Sequence, residues 1–444
     1  MKIDRIARSA VRIAYPLLRD AALTAIERWA ARQLDAAGDA PSPPAGDWSR
    51  DPVAIGPADD MLEERSVAAP HGAADPSGRR QVRQAEEGTP ADDPGAADGL
   101  CRRIARQDNL ALAWKAVSSR KPGSPGIDGQ TIRAFGENLP QELRALSTEL
   151  THATYRPCPL RCVQRRKQGG GRRQLAIPAV RDRVAQRAMA QILELLVDPE
   201  LTRWSFAYRG GQGCHEAISE VDALLAAGRT WILRADVKDC FDTIPHQPLL
   251  ARLAAIVDGE EALLETVRRV IASPRLRGRS MQFPKLGVPQ GSPLSPLLAN
   301  LYLDPVDRAL RGSGFRYLRY ADDILVACES QGQARQAGNL LASEIAGVRL
   351  QLNDEKSRII DSAAEPFEFL GHACQRRVWT PAPGRIDALL AELERKLQAA
   401  GRHGAKGAAE ASRMLEGWIA YYGKRTDVAD SLRKKLARMA ARIR

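Results

Sequence analysis

No uncharged apolar run in the 444 residues approaches the roughly 18–20 needed to span a bilayer, so a membrane-embedded protein is not expected. The N-terminus, Met1-Lys2-Ile3-Asp4-Arg5, places charge where a signal peptide needs an unbroken apolar stretch. Cysteine is sparse: seven residues, an odd number without repeated Cys-x-x-Cys spacing, read as reduced thiols of a cytoplasmic protein. Cys158 and Cys162 with His152 approach metal-ligand spacing, but no second cysteine pair accompanies them, and zinc is not expected. Acid falls short of base, 54 Asp+Glu against 66 Lys+Arg, and the net charge of +12 points to nucleic acid or another polyanion. The length suggests two or three domains and excludes a mini-protein held by disulfide staples.

The charge is unevenly spread. Residues 40–98 hold nine Pro, six Gly, twelve acidic residues and five Arg, with no Lys or Phe. Only five Val, Ile or Leu fall there, too few to offset the entropy of ordering 59 residues, and the stretch reads as a disordered acidic linker. Residues 1–39 carry a balance of +2 and the linker −7, which leaves +17 on residues 99–444. Ile3, Ile6, Ala10, Ile13 and Leu17 recur at helical steps before the linker, with Pro16 dividing that helix. Docking on a partner or on RNA and folding back on the body both fit these spacings. Residues 385–444 return to helical periodicity with fourteen Lys+Arg against seven acids.

Between these ends helix-like and strand-like segments alternate without a βαβ rhythm. Trp231–Asp236 reads as a short strand ending on an acid; Phe315–Tyr320 and Ile324–Cys328 read as two more, rich in aromatic and β-branched residues. Only Ala321-Asp322-Asp323 separates the last two, so a tight hairpin would carry two carboxylates at its tip. The expected class is α+β, with an antiparallel sheet core and a basic helical C-terminal domain. An Asp-Asp pair is ordinary turn chemistry. Carboxylates on neighbouring strand ends are also what a pair of hard divalent ions needs for nucleotidyl transfer.

The neighbouring segments decide between these readings. Tyr320-Ala-Asp-Asp323 resembles the catalytic hairpin of reverse transcriptases, and Arg234-Ala-Asp-Val-Lys-Asp-Cys-Phe-Asp-Thr-Ile-Pro-His246 their first catalytic motif. Gly287-Val-Pro-Gln-Gly-Ser-Pro-Leu-Ser-Pro296 lies between them in the family's order. Upstream, Pro125-Gly-Ile-Asp-Gly-Gln-Thr-Ile132, Arg173-Gln-Leu-Ala-Ile-Pro-Ala-Val-Arg-Asp-Arg-Val184 and Trp204-Ser-Phe-Ala-Tyr-Arg209 resemble fingers motifs of bacterial group II intron enzymes. Downstream, Leu352-Asn-Asp-Glu-Lys356, Phe369-Leu-Gly371 and Leu415-Glu-Gly-Trp-Ile-Ala-Tyr-Tyr422 resemble the last palm motifs and the maturase-like thumb. Nine such motifs in collinear order are far more specific than any one of them.

The resemblance implies an α+β right-hand polymerase: fingers over 99–230, palm over 231–380 and a helical thumb over 381–444. Asp236, Asp322 and Asp323 would be the catalytic acids, holding two Mg²⁺ (or Mn²⁺) together with the Val237 carbonyl. Phe241 would select deoxynucleotides by clashing with a 2′-hydroxyl; by residue type alone it would simply pack in the core. Lys167, Arg173, Gln290, Gly291 and Lys356 would meet the incoming nucleotide, Lys356 being equally at home as a surface lysine on a turn. Phe369, Leu370 and Gly371 would grip the primer, while Trp418, Tyr421 and Tyr422 read as a packed helix face. Gln174 and Ala207 with Gly210-Gly211 depart from the family pattern, which leaves the register of Arg172 and Arg173 open and implies an altered loop after Tyr208.

The implied partners are an RNA template, a DNA or RNA primer and deoxynucleoside triphosphates, with a structured intron RNA or CRISPR adaptation proteins beyond them. No HNH-type nuclease module is read after the thumb, so a protein that cuts its own DNA target is not expected. The rival reading is an RNA-binding maturase or scaffold without polymerisation. A defence-associated enzyme is a further biological setting, and the aromatic Phe241 disfavours an RNA-dependent RNA polymerase.

Overall fold

The structure is a computed structural model that describes residues 99–119, 124–166, 172–400, 414–415 and 417–422. The N-terminal helix, the acidic linker and Lys167 therefore lie outside the described residues. Eleven strands form three sheets among them. β1 (Leu160–Arg166) and β2 (Arg172–Ile177) make an antiparallel hairpin. β3 (Trp231–Asp236) belongs to a second sheet. β4 (Arg275–Arg277) runs parallel to β1 and pairs with β5 (Ser280–Gln282), giving a first sheet of order β2-β1-β4-β5. β6 (Arg316–Tyr320), β7 (Asp323–Cys328) and β8 (Arg358–Asp361) join β3 in the order β6-β7-β3-β8, every pair antiparallel. β9 (Phe367–Phe369), β10 (His372–Gln375) and β11 (Val378–Pro381) form a third, antiparallel sheet.

The second sheet is the antiparallel core expected from the sequence, and one hydrophobic cluster runs from the helices between Cys101 and Val197 through it to the third sheet. Its strands are apolar for a positional reason. β3 lies between β7 and β8 and buries Ile232, Leu233 and Ala235, leaving polar groups only at Arg234 and at its last residue, Asp236. Two helices cover its back. Helix 295–312 starts with Pro296 in its first turn, where the missing N–H costs nothing. Helix 331–347 is capped by Ser330, whose hydroxyl accepts from Gln333 N at 3.2 Å. Ala334, Ala337, Leu341 and Ile345 recur at three- and four-residue steps along it and are all buried. The effect is a rigid, apolar platform with its acids confined to one end.

Candidate active site

Strand register brings the three acids together. Asp236 lies opposite Asp323 across β3 and β7, and Val237 N donates to Asp322 O at 3.0 Å. The hairpin itself is tighter than the sequence suggests: Tyr320 pairs with Asp323, so only Ala321 and Asp322 form the turn. Asp323 is thus the first residue of β7 and Asp322 alone stands at the tip. A two-residue turn matching strand twist needs positive φ, which Ala321 adopts at +58°.

Each acid has a distinct electrostatic setting. Asp323 shares a face of the sheet with Arg234, whose Nη2 is 3.3 Å from Oδ2. Burial pushes its carboxyl up to about 6; Arg234 opposes that shift, and the negative charges of Asp236 and Asp322 add to it. Asp236 accepts from Lys356 Nζ at 2.9 Å, so this lysine, exposed on its turn, nonetheless points into the acid cluster. Cys240 is buried beside Asp322 and Asp236, its thiol pushed up to about 12 chiefly by burial, which suits small filler.

Could these acids hold metal? Among the described residues no group of three or more His, Cys, Asp or Glu side chains is placed as a ready-made metal cage. The donor chemistry nevertheless fits a hard cation. All three side chains offer carboxylate oxygens, and two of them already draw a cationic partner, Lys356 on Asp236 and Arg234 on Asp323. One or two carboxylates with substrate phosphates complete an octahedral shell.

The segment after β5 seats the candidate nucleotide residues. Gly287 N donates to Ile244 O at 2.7 Å and Val288 N to Phe241 O at 2.6 Å, tying this segment to the turn that follows β3. Gly287 has φ +82°, and a Cβ there would lie 2.6 Å from Asp242 O, so only glycine fits. Gly291 was expected to let a ligand approach; its close neighbour is instead the β2 backbone. A Cβ on it would meet Ala176 O at 2.4 Å, while Ala176 N donates to Gln290 O at 2.8 Å. Phe241 is half-buried against the core and meets Tyr208 edge to face at 6.4 Å, so packing and an exposed edge coexist. His246 begins a helix, and its Nε2 pairs with Gly287 O at 2.9 Å. Arg173 lies in β2 opposite Arg165, and Gln174 opposite Gln164. Ala207 is fully buried, its carbonyl accepting from Asn300.

The primer-grip expectation needs correction. Phe369 is fully buried in the core because β9 alternates inward and outward, so its ring is out of reach of a primer. Leu370, at φ +48°, and Gly371 form the half-buried turn into β10. They line a cavity of about 460 Å³ with Arg234, Asp323, Arg385 and Tyr421. Tyr421 donates to Leu370 O at 2.7 Å, and Trp418, Tyr421 and Tyr422 stack among themselves and on His372, the packed face expected of them.

Two residues carry structure here without having stood out in the sequence. Arg319 is completely buried, pairs with Asp307 at 2.6 Å, and donates to Ala321 O at 3.0 Å, fixing the turn. Asp242 accepts from Gln290 Nε2 at 3.0 Å, with Arg275 Nη1 3.9 Å from its other oxygen. An arginine within an aromatic strand, directly before the Tyr-Ala-Asp-Asp segment, was the available signal for the first. For the second, only folding reveals the pairing.

No described helix is long and apolar enough to cross a membrane. Residues 165–374, which hold the three aspartates, match the family model for reverse transcriptase (RNA-dependent DNA polymerase). Protein YkfC of Escherichia coli is 28% identical over 63% of this chain and 83% of its own length. The group II intron-encoded protein LtrA of Lactococcus lactis is 29% identical over 47% of this chain and 34% of its own. A chain in a solved partial Cas6-RT-Cas1–Cas2 complex is 26% identical over 56% of this chain and 42% of that one, with a TM-score of 0.35. The chain thus spans less than half of the last two relatives. With the acids at the strand ends where their motifs fall, residues 165–374 are similar to the reverse transcriptase domain.

Proposed function

We propose that this chain extends a primer 3′-hydroxyl with deoxynucleotides on an RNA template. The observation that carries the reading is the register of β3 against β7, which sets Asp236 opposite Asp323 with Asp322 at the adjoining tip. Asp236 and Asp322, with the Val237 carbonyl, would hold two Mg²⁺, for which Mn²⁺ would substitute; bound there, the ions would activate the hydroxyl and neutralise the triphosphate. The chain's own groups then position the reactants. Asp323, held by Arg234, keeps negative charge beside the pair and fixes the strand end. Lys356, whose Nζ lies 2.9 Å from Asp236 Oδ2, would follow the charge onto the departing pyrophosphate. Phe241 would bar a 2′-hydroxyl, Gln290 would hold the nucleotide, and Lys167 and Arg173 would meet its phosphates. Leu370 and Gly371 would meet the primer backbone.

The protein with an oligo(dT)-primed poly(rA) template, Mg²⁺ and labelled dTTP should lengthen the primer, and Asp322→Ala should abolish extension while leaving RNA binding intact. Equal binding with no extension by either protein would leave an RNA-binding scaffold instead. A structured intron RNA and CRISPR adaptation proteins are the wider partners this reading admits, and a binding assay with intron RNA separates them.

A further inference from the structure

Large apolar side chains cluster on the surface just ahead of the nucleotide segment. Met281 is 40% exposed, Phe283 73% and Leu286 51%, within six consecutive residues at and after β5. Three large apolar side chains exposed within so short a segment offer apolar surface to a partner. Arg277, Arg279 and Lys285 are exposed among them. Aromatic and apolar groups interleaved with cations suit single-stranded nucleic acid, whose bases stack on rings while its phosphates pair with the charges.

The position sharpens the reading. Leu286 bridges to Pro245, Gly287 and Val288 hydrogen-bond to the turn carrying Phe241, and Gln290 follows. β4 also pairs with β1, so the hairpin is fixed to the sheet that holds Arg173. A strand lying along this surface would run directly into the proposed nucleotide site. Resting on the polymerase reading above, we propose that the β4–β5 hairpin and residues 283–286 form a dock for the unpaired template RNA. Paired bases in a primer–template duplex show no free face to Phe283, whereas unpaired ones do. A second copy docking symmetrically here would set Arg277, Arg279 and Lys285 against like charges.

The test measures affinity by fluorescence anisotropy in metal-free buffer, where no chemistry intervenes. The full chain is titrated with RNA–DNA hybrids carrying one unpaired template nucleotide or an overhang of about twelve, within the span such sites cover. Wild type should bind the long overhang about tenfold more tightly. Arg277→Ala/Arg279→Ala/Phe283→Ala should erase that preference, keep the short-overhang affinity, and flatten the salt dependence. Phe283→Ala alone repeats the comparison should the triple variant fail to fold. Unchanged long-overhang affinity in both variants overturns the dock. So does a change confined to self-association, read by light scattering, which would make the surface a contact between copies. Primer extension is scored separately: wild type that prefers long overhangs yet extends none keeps the dock and removes the polymerase reading.

Discussion

Asp242 shows how a single carboxylate bears on chemistry it does not touch. It stands one residue past Phe241, and its oxygens face Gln290 Nε2 on one side and Arg275 on the other. A hydrogen bond to a charged acceptor contributes about 1.5–3 kcal/mol, enough to hold a long amide in one rotamer. Asp242→Ala should therefore raise KM for the deoxynucleotide roughly tenfold with a smaller change in kcat, because the lost energy is ordering of the binding side chain. Asp242→Asn keeps an acceptor and should recover most of it. Adding Gln290→Ala to Asp242→Ala should cost little more than Gln290→Ala alone, since the two act through one contact. If Gln290→Ala raises KM and Asp242→Ala does not, the contact is incidental. Phe241→Ala tests the neighbouring position: ribonucleotide incorporation should rise relative to deoxyribonucleotide, and an unchanged ratio would return Phe241 to plain packing.

The Tyr-Ala-Asp-Asp hairpin depends on a support beneath it. Arg319 is wholly buried, where burial penalises charge on both it and Asp307; each favours the other's ionised form, and Asp307 still sits above the usual carboxylate range. Removing one partner of such a pair strands a charge, so Arg319→Met should lower stability by about 3–5 kcal/mol in chemical denaturation. Arg319→Met/Asp307→Leu should regain much of that stability while extension stays impaired, because the Ala321 carbonyl has lost its donor. Recovery of both together would show that Arg319 stabilises without shaping the turn. This element also marks how far the sequence reaches. Apolar runs rich in aromatic and β-branched residues around Asp236 and the Asp-Asp segment made the strands and their acidic ends legible, although the turn is one residue shorter than the sequence suggests. Phe369 and Gly291 were assigned by motif position, and the structure gives them different neighbours. The inward phase of β9 and the approach of β2 are set by tertiary packing that no local pattern encodes.

At the scale of the whole molecule, the C-terminal helix segment reaches the Tyr-Ala-Asp-Asp hairpin through a short chain of polar contacts. Tyr421 donates to Leu370 O, and Cys214, at the start of helix 214–226, donates to the Tyr320 hydroxyl at 3.1 Å. Cys214 also lies beside the Tyr421 hydroxyl, which burial raises well above the ordinary phenol range. Residues 385–444 carry an excess of seven positive charges that would follow a duplex as it leaves the acids. How firmly this helix is seated should then govern how long a duplex stays bound, whereas single additions depend on the aspartates. Tyr421→Phe keeps the ring stacking on His372 and removes one hydrogen bond worth about 1 kcal/mol. The expected result is shorter products per binding event, measured with an excess of unlabelled hybrid as trap, at an unchanged rate of first-nucleotide addition. A matching fall in the first addition would place the hydroxyl with Tyr320 and the acids, and unchanged product length would free the helix from any part in holding the duplex.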